Sequence, residues 1–195
     1  MSKPELQRLL DLQSFLQKFN EIDRAFYHPG SKTRHETDTE HSFSLSMAAW
    51  FLAPHFPKLK VDEIIKMALV HDLVEIYAGD TYIFADKTVL DTKAQRELEA
   101  YKRIKQEWPD FPDMLKMIDA YEKLETPESK FVYALDKLMP IFMIFLGEGY
   151  TWQKKKITLE MLLESKTNKV ELSPEINDYY TQLISLLKDN KHYFS

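Results

Sequence analysis

Apolar residues recur three and four positions apart along most of this chain, the period of amphipathic helices rather than of strands. Leu6, Leu9, Leu10, Leu12, Phe15, Leu16 and Phe19 form a first stripe, expected to pack into the core behind a capping box at Ser2-x-x-Glu5. The pattern breaks over 20–37, where Pro29-Gly30 marks a stretch expected to be a solvated loop. Thr37-x-x-Glu40 is a second capping box and predicts a helix over about 38–53, with His41, Leu45, Ala48, Ala49 and Leu52 facing inward. Asp62 can cap a helix over about 62–77 with Gly79 as its stop, and Ile65, Ala68, Leu69, Asp72 and Ile76 share one face of it. Further helices are predicted over about 88–107 and 112–123, from Thr126-Pro127-Glu128 onward, over about 152–163, and from Ser173-Pro174-Glu175 to about 189. No segment of strand period stands out, and there is no internal repeat. The expected architecture is all-α, a helical bundle with residues 1–195 in a single domain. Its core would lie over about 20–140, with helices of about 150–190 packed on it.

Composition narrows the function classes. Four glycines in 195 residues leave no GxGxxG and no P-loop, and zero cysteines remove disulfides, thiolate metal sites and cysteine nucleophiles. The cysteine count suits a reducing cytoplasm, where the protein is expected to work. The N-terminal residues lack the pattern of a signal peptide, and the apolar run 138–146 is too short to span a bilayer and contains Pro140. A formal net charge of −5 gives no support to nucleic-acid binding, yet leaves room for a small anionic substrate held by local bases.

Polar residues that interrupt apolar faces are the candidates for chemistry. His41 opens the buried face of its helix. The stretch Val70-His71-Asp72-Leu73-Val74-Glu75 places an imidazole and two carboxylates within one turn, with Asp80 just beyond, and no lysine or arginine on that turn to neutralise them. Asp136 lies among Val132, Leu135 and Met139. Singly each can be a satisfied core residue. Jointly, His41, His71, Asp72 and Asp136 form a set of two imidazoles and two carboxylates suited to one divalent ion: Mn2+, Co2+, Fe2+, Zn2+ or, less comfortably, Mg2+.

The ordered pattern His…His-Asp…Asp resembles that of the HD-domain metal-dependent phosphohydrolases, and further segments resemble their 5′-deoxynucleotidase-type branch. These are Arg34-His35-Glu36-Thr37-Asp38-Thr39-Glu40-His41-Ser42, then His71-Asp72-x-x-Glu75-x-x-x-Gly79-Asp80, and Thr126-Pro127-Glu128 followed by Ala134-Leu135-Asp136-Lys137-Leu138. Gly149-Tyr150-Thr151-Trp152 and Ile157-Thr158-Leu159 resemble the region after the last ligand, so the likeness runs over about 5–165. It implies a phosphohydrolase, most simply a 5′-nucleotidase acting on deoxyribonucleoside 5′-monophosphates. His41, His71, Asp72 and Asp136 would hold the metal, Glu75 would move the proton, and Asp80 would lie near the sugar hydroxyl. Arg34, with Arg24 and Lys32 as weaker candidates, would bind the phosphate, since a guanidinium fork matches phosphate oxygens. Alternatives are another nucleotide hydrolase of this type, a pyrophosphohydrolase or phosphodiesterase, or a non-catalytic metal- or nucleotide-binding regulator. The absence of histidines between His71 and His192 argues against a histidine-rich second metal site. The family often forms homodimers, and Trp152, Phe142 and Phe145 are candidates for either an interface or the core.

Overall fold

A computed structural model describes residues 4–195. Ser2 of the expected first capping box lies outside them. Helix α1 (Leu6–Phe19) follows Glu5, whose side chain makes no capping bond. Only the C-terminal half of its stripe is core: Phe15 and Phe19 are buried, whereas Leu6, Leu9 and Leu10 are exposed. The stripe outruns the surface available to cover it.

The stretch expected as a loop is instead a hairpin, β1 (Asp23–Tyr27) paired antiparallel with β2 (His35–Thr37). Asp23 stands opposite Thr37 and Tyr27 opposite His35, with an irregularity between them. The His28 amide donates to the Arg34 carbonyl, and the Ser31 hydroxyl accepts from the Thr33 and Arg34 amides, so the turn is held from inside. Strands this short, with only Phe26 and Glu36 buried, carry too few apolar positions to show a period.

Thr37 ends β2 and also caps α2 (Asp38–Leu52), with both bonds of the expected capping box in place. A 3-10 turn over Ala53–His55 leads to α3 (Val61–Val70), which starts after Lys60 with no side-chain cap; Asp62, expected as the cap, lies in its first turn, and the Lys60 amide donates to Glu128 from a distant helix. The helix expected over 62–77 is broken. After Val70 the backbone tightens through a turn into the short α4 (Glu75–Ala78), which Gly79 ends with φ of 74°, a conformation that favours glycine.

The remaining helices are α5 (Lys87–Glu107), α6 (Pro112–Lys123), α7 (Pro127–Leu146, capped by Thr126), α8 (Tyr150–Lys155), α9 (Leu159–Val170) and α10 (Pro174–Asp189). The single helix expected over 152–163 is thus two, divided where Lys156 turns left-handed and Thr158 caps the second. Helix α7 is central: it packs on α2, α3, α6, α9 and α10. Its Pro140 lacks the amide that would bond the Asp136 carbonyl four residues back. A main apolar core joins α2, α3, α7, α9 and α10, and a second cluster around Phe15, Phe19, Ile104 and Trp108 joins α1, α4, α5 and α6, with Val70 packed against both. The fold is all-α apart from the hairpin, with the site where α2, α3, α4 and α7 meet.

Candidate metal centre

His41 lies in the first turn of α2, on the face shared with the buried Leu45 and Ala49. On α3 the buried face is formed by Ile64, Met67, Ala68 and His71, while Leu69 is exposed. This is about one residue round from the face expected for Asp72. His71 therefore rises out of the core, and Asp72 sits at its edge with a side chain 15% exposed. The turn that follows is held by bonds to the third residue back, from Leu73 to Val70, Glu75 to Asp72 and Ile76 to Leu73. In such a turn, side chains three apart eclipse, which stacks Glu75 on Asp72. Asp136 faces them from the middle of α7 and is buried.

The four expected ligands meet. His41 Nε2 lies 2.8 Å from Asp136 Oδ1, His71 Nε2 lies 3.0 Å from Asp72 Oδ2, and the cross pairs are 3.8 and 3.9 Å apart. One donor atom from each residue lies within 4.8 Å of every other. Donors about 2.0–2.2 Å from one ion stand about 3 Å apart at right angles, so these separations suit a single divalent cation. The tautomer agrees. His71 Nδ1 hydrogen-bonds the Ala68 carbonyl at 3.0 Å, which turns the lone pair of Nε2 toward the carboxylates, where it has no hydrogen-bond partner. Burial works against charge on His71, but Asp72 and Asp136 outweigh it and hold the imidazole up to about 10. Burial and Arg24 push His41 down to about 4. The carboxylates thus favour positive charge at this point, and a divalent ion held by the neutral imidazoles would supply it.

Around this set lies a layer that the sequence did not reveal. Tyr121 donates to Asp136 Oδ2 at 2.8 Å, and Lys137 Nζ lies 2.5 Å from the same oxygen. Asp38 and Glu36 are buried beside the centre, and carboxylate oxygens of Asp38, Asp72 and Glu75 lie within 4.8 Å of one another. Asp38 stands in the first turn of α2 and Tyr121 on α6, and it is the packing of these helices that brings them to the centre. Burial, then Asp72, Asp38 and Asp80, raise the Glu75 carboxyl well above the usual range. Burial also raises Asp80, against the pull of Arg24.

The expected phosphate binders separate. Arg24, on β1, enters the centre: its Nη1 lies 3.1 Å from Asp38 Oδ1 and 3.0 Å from Asp72 Oδ2, and its Nε is 3.7 Å from Glu36. Arg34 and Lys32, on the turn between the strands, do not come to the centre. Arg34 Nη1 lies 2.8 Å from both oxygens of Glu40 on the surface, and Lys32 Nζ lies over the Tyr150 ring at 5.5 Å. The preference for Arg34 is corrected by register: β1 points residue 24 inward, and the turn carries 32 and 34 outward. Trp152 is core, stacked on Phe194, and Phe142 and Phe145 are partly buried against the same cluster.

Beside the centre opens a cavity of about 380 Å³ whose lining includes Asp72, Glu75, Asp80, Arg24 and Lys137, with Phe26, Tyr82, Phe84, Tyr133 and Trp152 forming apolar wall. Among the described residues, no helix is long and apolar enough to cross a membrane.

Comparison with known proteins agrees with this geometry. The HD domain model matches residues 16–177. The mouse protein 5′-deoxynucleotidase HDDC2 is 29% identical over 159 residues, covering 80% of this chain and 75% of that protein. Its Bos taurus counterpart is 26% identical over 194 residues, covering 98% and 90%. The crystal structure of a predicted metal-dependent phosphohydrolase from Magnetospirillum magnetotacticum superposes with a TM-score of 0.81 at 29% identity, covering 96% of each chain. The chain belongs to the HD domain family and is a metal-dependent phosphohydrolase of that superfamily.

Proposed function

We propose that the protein is a phosphomonoesterase that releases phosphate from deoxyribonucleoside 5′-monophosphates. The observation that carries this reading is the meeting of a four-donor metal cluster, a buried carboxyl group at Glu75 and a mixed aromatic and polar wall in one cavity. Similarity to 5′-deoxynucleotidases supports the choice of substrate. A cavity of this size suits a base and a sugar, and pockets for small molecules commonly combine apolar walls with a few convergent polar groups.

His41, His71, Asp72 and Asp136 would hold the ion, of which Mn2+, Co2+, Fe2+, Zn2+ and Mg2+ are all candidates. When bound it supplies Lewis-acid chemistry, withdrawing charge from a phosphoryl oxygen and making a water nucleophilic near neutral pH. Glu75, stacked over Asp72 and shielded from solvent, handles the proton, giving it to the departing 5′-oxygen or taking it from the attacking water. Arg24 holds Asp72 in place through Nη1 and presents cationic charge toward the phosphate. Asp80, on the cavity wall past Gly79, meets a sugar hydroxyl. We also propose a homodimer built on the outer face of α2, where Phe43, Met47, Trp50 and Phe51 are exposed at helical spacing, rather than on Trp152.

The test is a phosphate-release assay of purified protein with added Mn2+ or Co2+ against deoxy- and ribonucleoside monophosphates. Release from the 5′-deoxynucleotides is expected, and Glu75→Gln should retain metal while turnover falls by about 10²–10⁴. No release from any monophosphate by metal-loaded protein would overturn the reading.

A further inference from the structure

Helix α9 brings a second kind of charge to the cavity. Leu162, Lys166 and Lys169 all line it, at spacings of four and three residues, so one face of the helix forms that wall. Lys166 is only 7% exposed, and among the described residues its ammonium makes neither a hydrogen bond nor an ion pair. Lysines are almost never buried unless paired. Apolar packing of its stem accounts for its burial, but the residue lines the same cavity as the carboxylates of the centre.

The charge balance of the cavity says what it waits for. Two of the expected ligands, Asp72 and Asp136, are carboxylates and together match a divalent ion, while Glu75, Asp80 and Glu122 also line the cavity, each with its carboxyl pushed up by burial. Arg24 is already engaged by Asp38 and Asp72, Lys137 by Asp136, and Lys93 by Glu97. Lys166 and Lys169 are the lining cations that have no such partner among the described residues. A phosphate monoester brings close to two negative charges at neutral pH. We propose that Lys166 and Lys169 form an anion subsite in the α9 wall that binds the non-reacting oxygens of the substrate's 5′-phosphate.

Position favours the reacting phosphate over a more remote anion. Lys166 and Lys169 line the same cavity as Asp136, Arg24 and Lys137, so the α9 wall and the centre face one space. Burial first, and then those neighbouring cations, push the Lys166 amine down to about 7, a shift that an adjacent phosphate would reverse. The subsite joins Arg24 in the phosphate-binding role for which Arg34, with Arg24 and Lys32 as weaker candidates, was expected. It rests on the phosphomonoester reading above for its ligand, but not for its test.

The experiment is calorimetric titration of inorganic phosphate into Mn2+-loaded protein, comparing the parent chain with Lys166→Met and Lys169→Met, together with steady-state kinetics on a deoxynucleoside monophosphate. Phosphate affinity should fall about tenfold or more for Lys166→Met and severalfold for the half-buried Lys169→Met. KM should rise more than kcat falls, and the Lys166→Met melting temperature should not drop, because methionine fills the same space without a buried charge. Equal phosphate affinity in the parent and Lys166→Met, or no phosphate binding by the metal-loaded parent, overturns the subsite. A lower melting temperature with phosphate affinity unchanged assigns Lys166 a structural role and overturns it too. Should Lys166→Met fail to fold, the Lys169→Met titration decides in the same two directions. If no nucleotide is hydrolysed while phosphate affinity still falls in the variants, the substrate reading fails and the subsite stands.

Discussion

The metal centre and the hairpin that precedes it are joined by a single residue, Thr37, yet they obey opposite rules. In the centre, every candidate ligand is a polar residue on or beside an apolar helix face, and all four converge. In the hairpin, five positive or potentially positive groups are crowded into 24–35, and only Arg24 reaches the centre. A polar residue in an apolar stripe is costly unless something pairs it, so its position carries information about a site. A cation in a polar stretch costs nothing, and charge density there says little about which side chain points inward.

The strongest way to break the comparison is to remove a ligand. Asp72→Ala should reduce bound metal to background by elemental analysis and abolish turnover. It also takes a carboxylate away from Arg24 Nη1, which keeps Asp38, and from His71 Nε2, and should cost roughly 1–3 kcal/mol of stability. Full metal occupancy in this variant would show that the four residues are a structural polar cluster and not a centre.

Arg24→Ala tests the hairpin's one inward cation and should come second. The Arg24 side chain is 11% exposed and lies against Asp38, Asp72 and Glu36. Its loss leaves three carboxylates facing one another, and breaking a buried pair in this way costs about 3–5 kcal/mol. Denaturant unfolding of metal-free protein measures it, and a loss below about 1 kcal/mol would mean that the carboxylates are neutral without it.

These two regions also mark how far the sequence could be read. The helical period, the Thr37 and Thr126 caps and the meeting of His41, His71-Asp72 and Asp136 were legible because each depends on local spacing or on the cost of burying a polar group. The break after Val70 was not. The run Val70 to Tyr77 has helical spacing, yet its backbone bonds to the third residue back, a change that apolar spacing does not register. The face of α3 was misjudged by about one residue for the same reason, since Leu69 is as apolar as Met67 but meets solvent. Asp38, Tyr121 and Lys166 each sit on an ordinary helix pattern, and their closeness to the cavity comes from packing between helices far apart in sequence. Register decided Arg24 over Arg34: a strand turns successive side chains to opposite sides, and the number of residues in the turn sets which cations face out.

The smallest effect is expected at Arg34, where the sequence pointed to a phosphate ligand. Arg34 is half exposed, and its contact is a surface pair with Glu40. Exposed pairs of this kind contribute roughly 0–1 kcal/mol, so Arg34→Ala should shift stability by no more than that. Lys32 lies over the Tyr150 ring, away from the centre. The double variant Lys32→Ala, Arg34→Ala should therefore keep metal content, kcat and KM for a deoxynucleoside monophosphate within about twofold of the parent, well under the 1.4 kcal/mol that a tenfold change represents. A KM raised tenfold would mean that the turn over 28–34 folds onto the bound phosphate, and the hairpin would then contribute more than the one cation, Arg24, to the site.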